Sequence, residues 1–346
     1  MNKGIFKLPK NKFAPFYVVF LFNDCNIKKY FIELCIFFRW RFNCLFSVLI
    51  LFSNLIIVRE IVMVINELRN KNVVITGGSS GIGKEMAKIL LENKANVAVI
   101  GRRPALLSEF AAEIESQKKK GGKLVVIQGD VSTSDGCDKI IHKLRSVFGK
   151  FDILINSAGV YYSGKFEESE TAHIENMINT NIKGVINMTR LALPEMRSAK
   201  KPAVINIASI AGKVGMPYMS IYSASKFAVA GLSEALRREL NGQVRVCCVY
   251  PSGISTGFMG EAEEKLSAGA MTFDKPEVVA ERILSGFMKG KDEIYIGKHT
   301  ESSVFWNTVN KKTVDRSIAK MKSKLMSAAS GASSEKNKVL PVDKKK

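Results

Sequence analysis

Tyr222 and Lys226 lie four residues apart in the run YSASK, a spacing that could place a phenol beside an ammonium group. On a helix, residues i and i+4 lie one turn apart on the same face. The cation would favour the phenolate and lower the tyrosine pKa from its usual value near ~10, so that the phenol could exchange a proton. Taken alone, the pair is better explained as an ordinary pair on a solvated helix face, so the other motifs decide its role.

A glycine-rich turn, TGGSSGIG, is the second motif that could do chemistry. It follows the apolar run NVVI and precedes the helical pattern KEMAKILLENK. A dinucleotide diphosphate needs close backbone approach and free N–H groups, which glycines at the start of a helix provide. By itself the turn could also be an ordinary tight turn, and its position after a strand favours the dinucleotide. The predicted cofactor residues here are Thr76, Gly77, Ser79, Ser80, Gly81, Ile82 and Gly83.

Two arginines at the end of the next apolar run indicate which dinucleotide binds. A site that prefers NAD usually places an acid there to hold the ribose 2′-hydroxyl. Here the run ends in Gly101, Arg102 and Arg103, without an acid. A guanidinium group can bond to a 2′-phosphate, so the sequence favours NADP (NADPH) over NAD. Solvated loop arginines are the alternative.

Seven apolar, β-rich runs must position these residues. Helical stretches such as PALLSEFAAEIESQ separate them. Strands that are buried on both faces and alternate with helices predict an α/β fold, a Rossmann-like doubly wound parallel sheet of about seven strands in a single catalytic domain. Ligands in such sheets bind at the carboxyl ends of the strands. The runs are NVVITG, NVAVIG, LVVIQGD, DILINSAG, AVINIAS, VRVCCVYP and EIYIG.

The charge of the chain does not indicate a nucleic-acid-binding core. The formal net charge is +20, but residues 1–62 contribute +6 and residues 301–346 contribute +7. Nearly two thirds of the excess therefore lies outside the predicted catalytic domain. The six cysteines form no C-x-x-C pair, and the three histidines adjoin no Gly-x-Ser-x-Gly elbow, so we expect no metal site, no disulfide framework and no serine hydrolase.

We divide the chain into an N-terminal hydrophobic segment (1–62), a catalytic domain (63–300) and a basic C-terminal segment (301–346). The first segment carries 11 of the 20 phenylalanines, and its run 42–58 is at the lower limit for a membrane-spanning helix. It could be a signal anchor, with the catalytic domain on the side opposite its basic flank, or a targeting segment. Alternatively, translation starts at Met63 and the domain is cytoplasmic. In the C-terminal segment we expect one basic amphipathic helix over 304–325 and disorder over 327–346.

The motifs together resemble the short-chain dehydrogenase/reductase family over residues 70–300. TGGSSGIG matches its cofactor turn, and NSAG matches its usual N-N-A-G with a serine in the second place. PSGIST resembles its P-G-x-x-x-T stretch, although a serine is inserted. The resemblance adds the cofactor residues Asp130, Val131, Asn156, Ala158, Gly159, Pro251, Gly253 and Thr256, and it makes Tyr222 and Lys226 cofactor contacts as well.

The same resemblance implies a catalytic tetrad of Asn181, Ser209, Tyr222 and Lys226. Ser209 would donate a hydrogen bond to a substrate carbonyl, and Tyr222 would protonate it as hydride arrives from the nicotinamide. Lys226 would bind the nicotinamide ribose and lower the pKa of Tyr222. Asn181 would position Lys226 through a water. The implied reaction converts a ketone into a secondary alcohol.

The substrate is expected to be lipophilic. Met216, Tyr218 and Met219 follow Ser209, while Phe258, Met259, Met271 and Phe273 follow Pro251, and such side chains suit an apolar, irregular ligand. They could equally pack a lid or a subunit interface. Stretches of the chain are similar to 3-ketodihydrosphingosine reductases, to membrane-anchored hydroxysteroid dehydrogenases and to 3-oxoacyl carrier protein reductases.

The family commonly assembles through the helix that bears the tyrosine and lysine, so we expect a homodimer or homotetramer. A different class of function stays open, namely a non-catalytic NADP-binding regulatory or scaffold protein. A complete tetrad argues against that alternative, because binding alone needs neither Tyr222 nor Ser209.

Overall fold

The chain folds around one seven-stranded parallel sheet. The computed structural model describes residues 68–116, 121–260, 263 and 273–332. The strand order is β3-β2-β1-β4-β5-β6-β7, and every pairing is parallel. The strands are β1 (Asn72–Thr76), β2 (Asn96–Gly101), β3 (Leu124–Gln128), β4 (Ile153–Asn156), β5 (Ala203–Ile207), β6 (Arg245–Pro251) and β7 (Glu293–Ile296). The seven predicted strands and the doubly wound arrangement are confirmed.

Helices cover both faces of the sheet, and each face has its own apolar core. They are α1 (Gly81–Glu92), α2 (Pro104–Ser116), α3 (Ser134–Phe148), α4 (Thr171–Met177), α5 (Gly184–Met196), α6 (Ser220–Glu239), α7 (Pro276–Met288), α8 (Thr300–Val309) and α9 (Lys311–Ala332). Strands β1, β4 and β5 are buried along almost their whole length because core side chains lie on both of their faces. The order of strands reverses between β1 and β4, which places a crevice for ligands at their carboxyl ends.

The C-terminal segment differs from the prediction. Two helices, α8 and α9, replace the single helix expected over 304–325, because Asn310 between them has non-helical dihedral angles (φ −147°, ψ 81°). Helix α9 continues to Ala332, so residues 327–332 are helical and not disordered. The proposed boundary after residue 300 falls within α8. Residues 333–346 lie outside the described part of the chain.

The hydrophobic run 42–58 also lies outside the described residues. Within the part of the chain that the structure describes, no helix is both long and apolar enough to cross a bilayer.

Candidate active site

The glycine-rich turn connects β1 to α1 and has a backbone that only glycine suits. Gly77 has φ +68°, and a Cβ there would lie 2.7 Å from Cα of Ala158. A Cβ at Gly83 would lie 2.5 Å from the Gly77 carbonyl oxygen. Helix α1 receives no hydrogen bond from the side chain of its N-cap residue, Ser80, so its first N–H groups remain for a ligand. The turn therefore fits a dinucleotide diphosphate at the positive end of a helix.

Arg102 and Arg103 follow β2 and are exposed beside this turn. Arg103 Nη2 donates a 3.2 Å hydrogen bond to Oγ of Ser80, which ties the end of β2 to the start of α1. Two guanidinium groups thus lie at the edge of the dinucleotide crevice, where an acid would serve an NAD ribose. The geometry is compatible with a 2′-phosphate.

Two further loops border the same crevice. Thr76 Oγ1 accepts hydrogen bonds of 3.2 Å from the N–H groups of Ser157 and Ala158, so the loop after β4 is fastened to the end of β1. After β3, Asp130 Oδ1 accepts a 2.9 Å bond from the N–H of Ser132, and Val131 is buried. Both loops thus hold their predicted cofactor residues at the carboxyl edge of the sheet.

Asn156 has a role in the interior that the sequence did not predict. Its side chain is 2% exposed, and Nδ2 donates to Oδ1 of Asn206 at 2.8 Å and to Oγ1 of Thr189 at 3.0 Å. Asn206 in turn donates to Ser233 Oγ at 2.9 Å. The amide nitrogen of Asn156 thus links β4 to β5 and α5, and the contact between Asn156 and the cofactor stays a prediction.

Asn181 lies in a π-helical segment, Ile178–Lys183, between α4 and α5. Its Oδ1 accepts a 2.8 Å bond from the N–H of Val160, and its Nδ2 donates to the Val160 carbonyl at 2.9 Å and to Ser225 Oγ at 3.1 Å. Single-turn π segments frequently occur at functional sites. Asn181 thereby joins the loop after β4 to helix α6, and both of its amide hydrogens are used in doing so.

Ser209 follows β5 and caps a short 3₁₀ helix, Ile210–Gly212. Its Oγ accepts a 3.2 Å bond from the N–H of Ala211 and makes a long 3.5 Å contact with the carbonyl oxygen of Pro251. It is also close enough to the Tyr222 phenol to lower the phenol pKa. The serine thus lies next to the candidate proton donor, as expected.

Tyr222 and Lys226 share one face of α6, but they do not interact as the sequence predicted. Burial raises the pKa of Tyr222, Ser209 lowers it, and Tyr161 raises it further. Lys226 Nζ lies 5.7 Å from the Tyr222 ring centroid and donates instead to the Ile207 carbonyl oxygen at 2.9 Å. Burial lowers the pKa of Lys226 to about 8. The expected depression of the Tyr222 pKa is therefore absent from this structure, because desolvation dominates and the Lys226 ammonium is bonded to a carbonyl of β5.

The three predicted residues after β6 also lie near this site. Pro251 ends the strand, and the Gly253 carbonyl accepts a 3.0 Å bond from the N–H of Asp274. Thr256 Cγ2 lies 3.3 Å from where a Cβ of Gly81 would be, so this segment closes over the glycine-rich turn. A Cβ at Gly159 would lie 3.8 Å from Lys226 Nζ, which places that glycine against the tetrad.

An apolar cluster surrounds the Tyr222 ring, and we call it the apolar wall. It includes five of the seven predicted substrate-contact residues, while Phe258 lies beside it with its ring centroid 6.4 Å from that of Tyr222. Met271 lies outside the described residues. The members of the wall are Tyr161, Met216, Tyr218, Met219, Tyr222, Met259, Phe273, Met321 and Leu325.

Three members of the wall were not predicted from the sequence. Tyr161 makes an edge-on contact with Tyr222, with ring centroids 5.1 Å apart. Met321 and Leu325 come from α9, and Leu325 is 2% exposed. The i, i+4 spacing of these two apolar residues is visible in the sequence, but nothing local tells a helix which surface it will cover.

Comparison with known proteins agrees with this geometry. The sequence model described as short chain dehydrogenase matches residues 71–267. A protein named 3-ketodihydrosphingosine reductase from Bacteroides thetaiotaomicron is 38% identical over 187 residues, which are 54% of this chain and 65% of that protein, slightly less than two thirds of its length. The 11-beta-hydroxysteroid dehydrogenase-like 4A from Arabidopsis thaliana is 33% identical over 229 residues, 65% of this chain and 76% of that protein.

Solved structures show the same fold. A short chain dehydrogenase/reductase from Burkholderia phymatum in complex with NAD aligns with a TM-score of 0.66 and 22% identity over 71% of this chain and 96% of its own. A short-chain dehydrogenase from Sphingobium yanoikuyae in complex with NADPH aligns with a TM-score of 0.60 and 26% identity over 65% and 87%.

Proposed function

Because the chain belongs to the short-chain dehydrogenase family, we propose that it reduces a lipophilic ketone to a secondary alcohol with NADPH, using Tyr222 as the proton donor. Membership makes the protein an oxidoreductase that acts on CH–OH or C=O groups with NAD(P). The ketone, the preference for NADPH and the roles of Asn181, Ser209, Tyr222 and Lys226 are our proposals.

The bound dinucleotide supplies the hydride. The residues of the chain supply the proton and hold the substrate and the dinucleotide in position. Burial keeps the Tyr222 phenol protonated at neutral pH because it raises the pKa, and the protonated phenol is the form that can donate. Ser209, which lies close to that phenol, would also donate to a carbonyl oxygen as negative charge develops on it. We propose that Lys226, which lies next to Gly159, binds a ribose hydroxyl. Asn181 holds together the loop after β4 and helix α6.

The observation that carries the proposal is the seating of Tyr222 in the apolar wall. A donor surrounded by Met219, Phe273 and Leu325 favours a carbonyl with a large apolar substituent. The similarities to a 3-ketodihydrosphingosine reductase and to an 11-beta-hydroxysteroid dehydrogenase-like protein support a long-chain or cyclic lipid ketone. A 3-oxoacyl substrate is a third candidate of the same chemistry.

NADPH is the proposed cofactor because of Arg102 and Arg103. A 2′-phosphate would meet two exposed guanidinium groups there, and NADH offers them no comparable anion. Arg102→Ala should reduce the ratio of kcat/KM with NADPH to that with NADH by about tenfold or more, since a charge-assisted bond contributes roughly 1.5–3 kcal/mol. An unchanged ratio in Arg102→Ala and in Arg103→Ala would remove this assignment.

The test of function is NADPH oxidation against a panel of long-chain and cyclic ketones. We expect turnover by the wild type and a loss of at least about 100-fold in kcat for Tyr222→Phe, because general acid catalysis contributes about 10²–10⁴-fold. NADPH affinity should be retained. Tyr162→Phe is the matched control, since Tyr162 lies outside the wall, stacked on His173. Tight NADPH binding without turnover of any ketone would favour the non-catalytic alternative.

We also propose a homodimer or homotetramer. Phe227 on α6 is 44% exposed and Ile186 on α5 is 40% exposed, which supports a partner on these two helices. Phe227→Glu should shift the mass in solution, measured by light scattering, toward the monomer. A wild type that is already monomeric would overturn this proposal.

Location is proposed to depend on the first 62 residues. If the mature protein contains residues 42–58, we propose that they anchor it to a membrane; if the mature protein begins at Met63, we propose that it is cytoplasmic. Mass spectrometry of the N-terminal peptide from the natural source distinguishes the two.

A further inference from the structure

Two buried hydroxyl groups in the loop after β4 have no hydrogen-bond partner among the described residues. They are Tyr161 Oη and Ser163 Oγ. Ser163 is close enough to lower the pKa of Tyr161 slightly, although burial dominates and raises that pKa to about 12, and the two hydroxyls do not reach hydrogen-bonding geometry with each other. Both groups are therefore protonated hydroxyls that can still donate and accept.

The position of these hydroxyls points toward a ligand. Tyr161 is 5% exposed and belongs to the apolar wall, with its ring 5.1 Å from that of the proton donor Tyr222 and 6.1 Å from that of Phe258. A ligand carbonyl at Tyr222 would thus have Tyr161 as a close neighbour. The proposed catalytic roles use neither Tyr161 nor Ser163.

An unpartnered buried hydroxyl is costly, at about 1–3 kcal/mol. Packing alone would be served better by phenylalanine at position 161, which keeps the ring and removes the unpaired group. Neighbouring Tyr162 shows the usual solution, because its hydroxyl accepts a 3.0 Å bond from Asn176 Nδ2. Unpaired polar groups next to a reaction centre are a reason to look for a ligand that pairs them.

We propose that Tyr161 and Ser163 form a polar subsite that hydrogen-bonds a second, uncharged polar group of the substrate, namely a hydroxyl on a carbon near the reacting carbonyl. This inference rests on the proposed function. A hydroxyl suits the pair because each partner can both donate and accept. An ammonium suits it less, because the described members of the apolar wall include no carboxylate to neutralise a buried charge. The preferred substrate class is accordingly a hydroxyketone with an apolar chain.

The test compares two ketones of equal chain length, a 1-hydroxy-2-alkanone and the 2-alkanone that lacks the hydroxyl. The wild type should prefer the hydroxyketone in kcat/KM. Tyr161→Phe and Ser163→Ala should each lower kcat/KM for the hydroxyketone about three- to tenfold more than kcat/KM for the plain ketone, the range for one neutral hydrogen bond. Tyr162→Phe is the control and should change neither substrate. Equal losses for both ketones would assign the residues to packing and overturn the proposal.

A second readout does not depend on turnover. Because Tyr161→Phe removes an unpaired buried hydroxyl, its melting temperature without ligand should equal or exceed that of the wild type. If no ketone is reduced, the proposed function fails, and the subsite is then tested by calorimetry of the NADP-loaded protein with a 1,2-alkanediol and with the matching 2-alkanol. A wild type that binds the diol more tightly, with the advantage lost in Tyr161→Phe, supports the subsite. Equal affinities for the two alcohols overturn it.

Discussion

The ammonium of Lys226 is buried, and replacing it with methionine should change the pH dependence of stability in a defined direction. The Lys226 side chain is 5% exposed, and burial lowers its pKa from 10.5 to about 8. In the unfolded chain the group should keep the higher value. Between these two pKa values the unfolded state therefore binds more protons than the folded state, so stability should rise with pH.

The size of the effect follows from the two pKa values. Below the pKa of Lys226 in the folded protein both states are protonated, and burial of the charge lowers the free energy of unfolding by its full amount. As pH rises between the two pKa values, Lys226 loses its proton first in the folded state. The destabilisation by the buried charge disappears once Lys226 is neutral in both states. From about pH 7 to about pH 10 this amounts to roughly 2.5 kcal/mol, at about 1.36 kcal/mol for each pKa unit.

The assay is urea unfolding of wild type and Lys226→Met across that pH range, without cofactor. Methionine keeps an unbranched chain and removes the charge. The variant also loses the bond to the Ile207 carbonyl, but that loss is the same at every pH. We expect the stability advantage of Lys226→Met over the wild type to shrink by about 2–3 kcal/mol as pH rises.

Lys139→Met is the control for this experiment. The Lys139 side chain is 71% exposed, so its replacement should give a difference from the wild type that does not vary over the same range. Parallel curves for wild type and Lys226→Met would show that the buried lysine is solvated in the folded protein, and the reasoning would be refuted.

Three other changes test the turn, the interior network and α9. Gly77→Ala forces a Cβ to within 2.7 Å of Ala158 at φ +68°, so we expect a loss of about 1–3 kcal/mol in urea unfolding and weaker NADPH binding by fluorescence titration; unchanged values for both would contradict the close approach. Asn206→Ala removes one hydrogen bond from the amide of Asn156 and one from the hydroxyl of Ser233, and should cost about 1–3 kcal/mol of unfolding free energy, whereas a neutral result would mean that the network is not formed. Leu325→Ala truncates a side chain that is 2% exposed and should weaken the packing of α9 by about 2–3 kcal/mol. Trypsin should then cleave near Lys320 and Lys322 faster, and KM for ketones should rise at constant NADPH affinity. Cleavage at the wild-type rate would show that Leu325 does not hold α9 in this position.

Much of this architecture is predictable from local patterns. Each strand is a short apolar run with a clear boundary, and a parallel sheet brings the carboxyl ends of such strands to one edge. The glycine-rich turn, Ser209 and the pair on α6 can therefore be placed near one another from the amino-acid sequence alone. The two C-terminal helices were only partly predicted, because the non-helical Asn310 gives no strong local signal.

What could not be predicted depends on contacts between distant segments. The distance between Lys226 and Tyr222 is set by a carbonyl on β5, so the helical spacing alone gave the wrong direction for the Tyr222 pKa. Tyr161 contacts Tyr222 because of the path that the loop after β4 takes, and that path has no signal in the local sequence. The packing of α9 joins residues that are about a hundred positions apart in the chain. The amide of Asn156 donates to Asn206 on the neighbouring strand, and the NSAG motif gives no sign of that bond.

The position of α9 implies that substrate range and hydride chemistry are separable in this chain. The proposed tetrad comes from residues between positions 181 and 226, whereas Met321 and Leu325 approach the same site from a helix near the end of the described structure. Exchange of this one segment between relatives should therefore change which substrate is accepted while the proposed proton donor and the dinucleotide crevice stay in place. For protein engineering, α9 is therefore the segment in which to vary substrate contacts while the sheet and the tetrad are left unchanged.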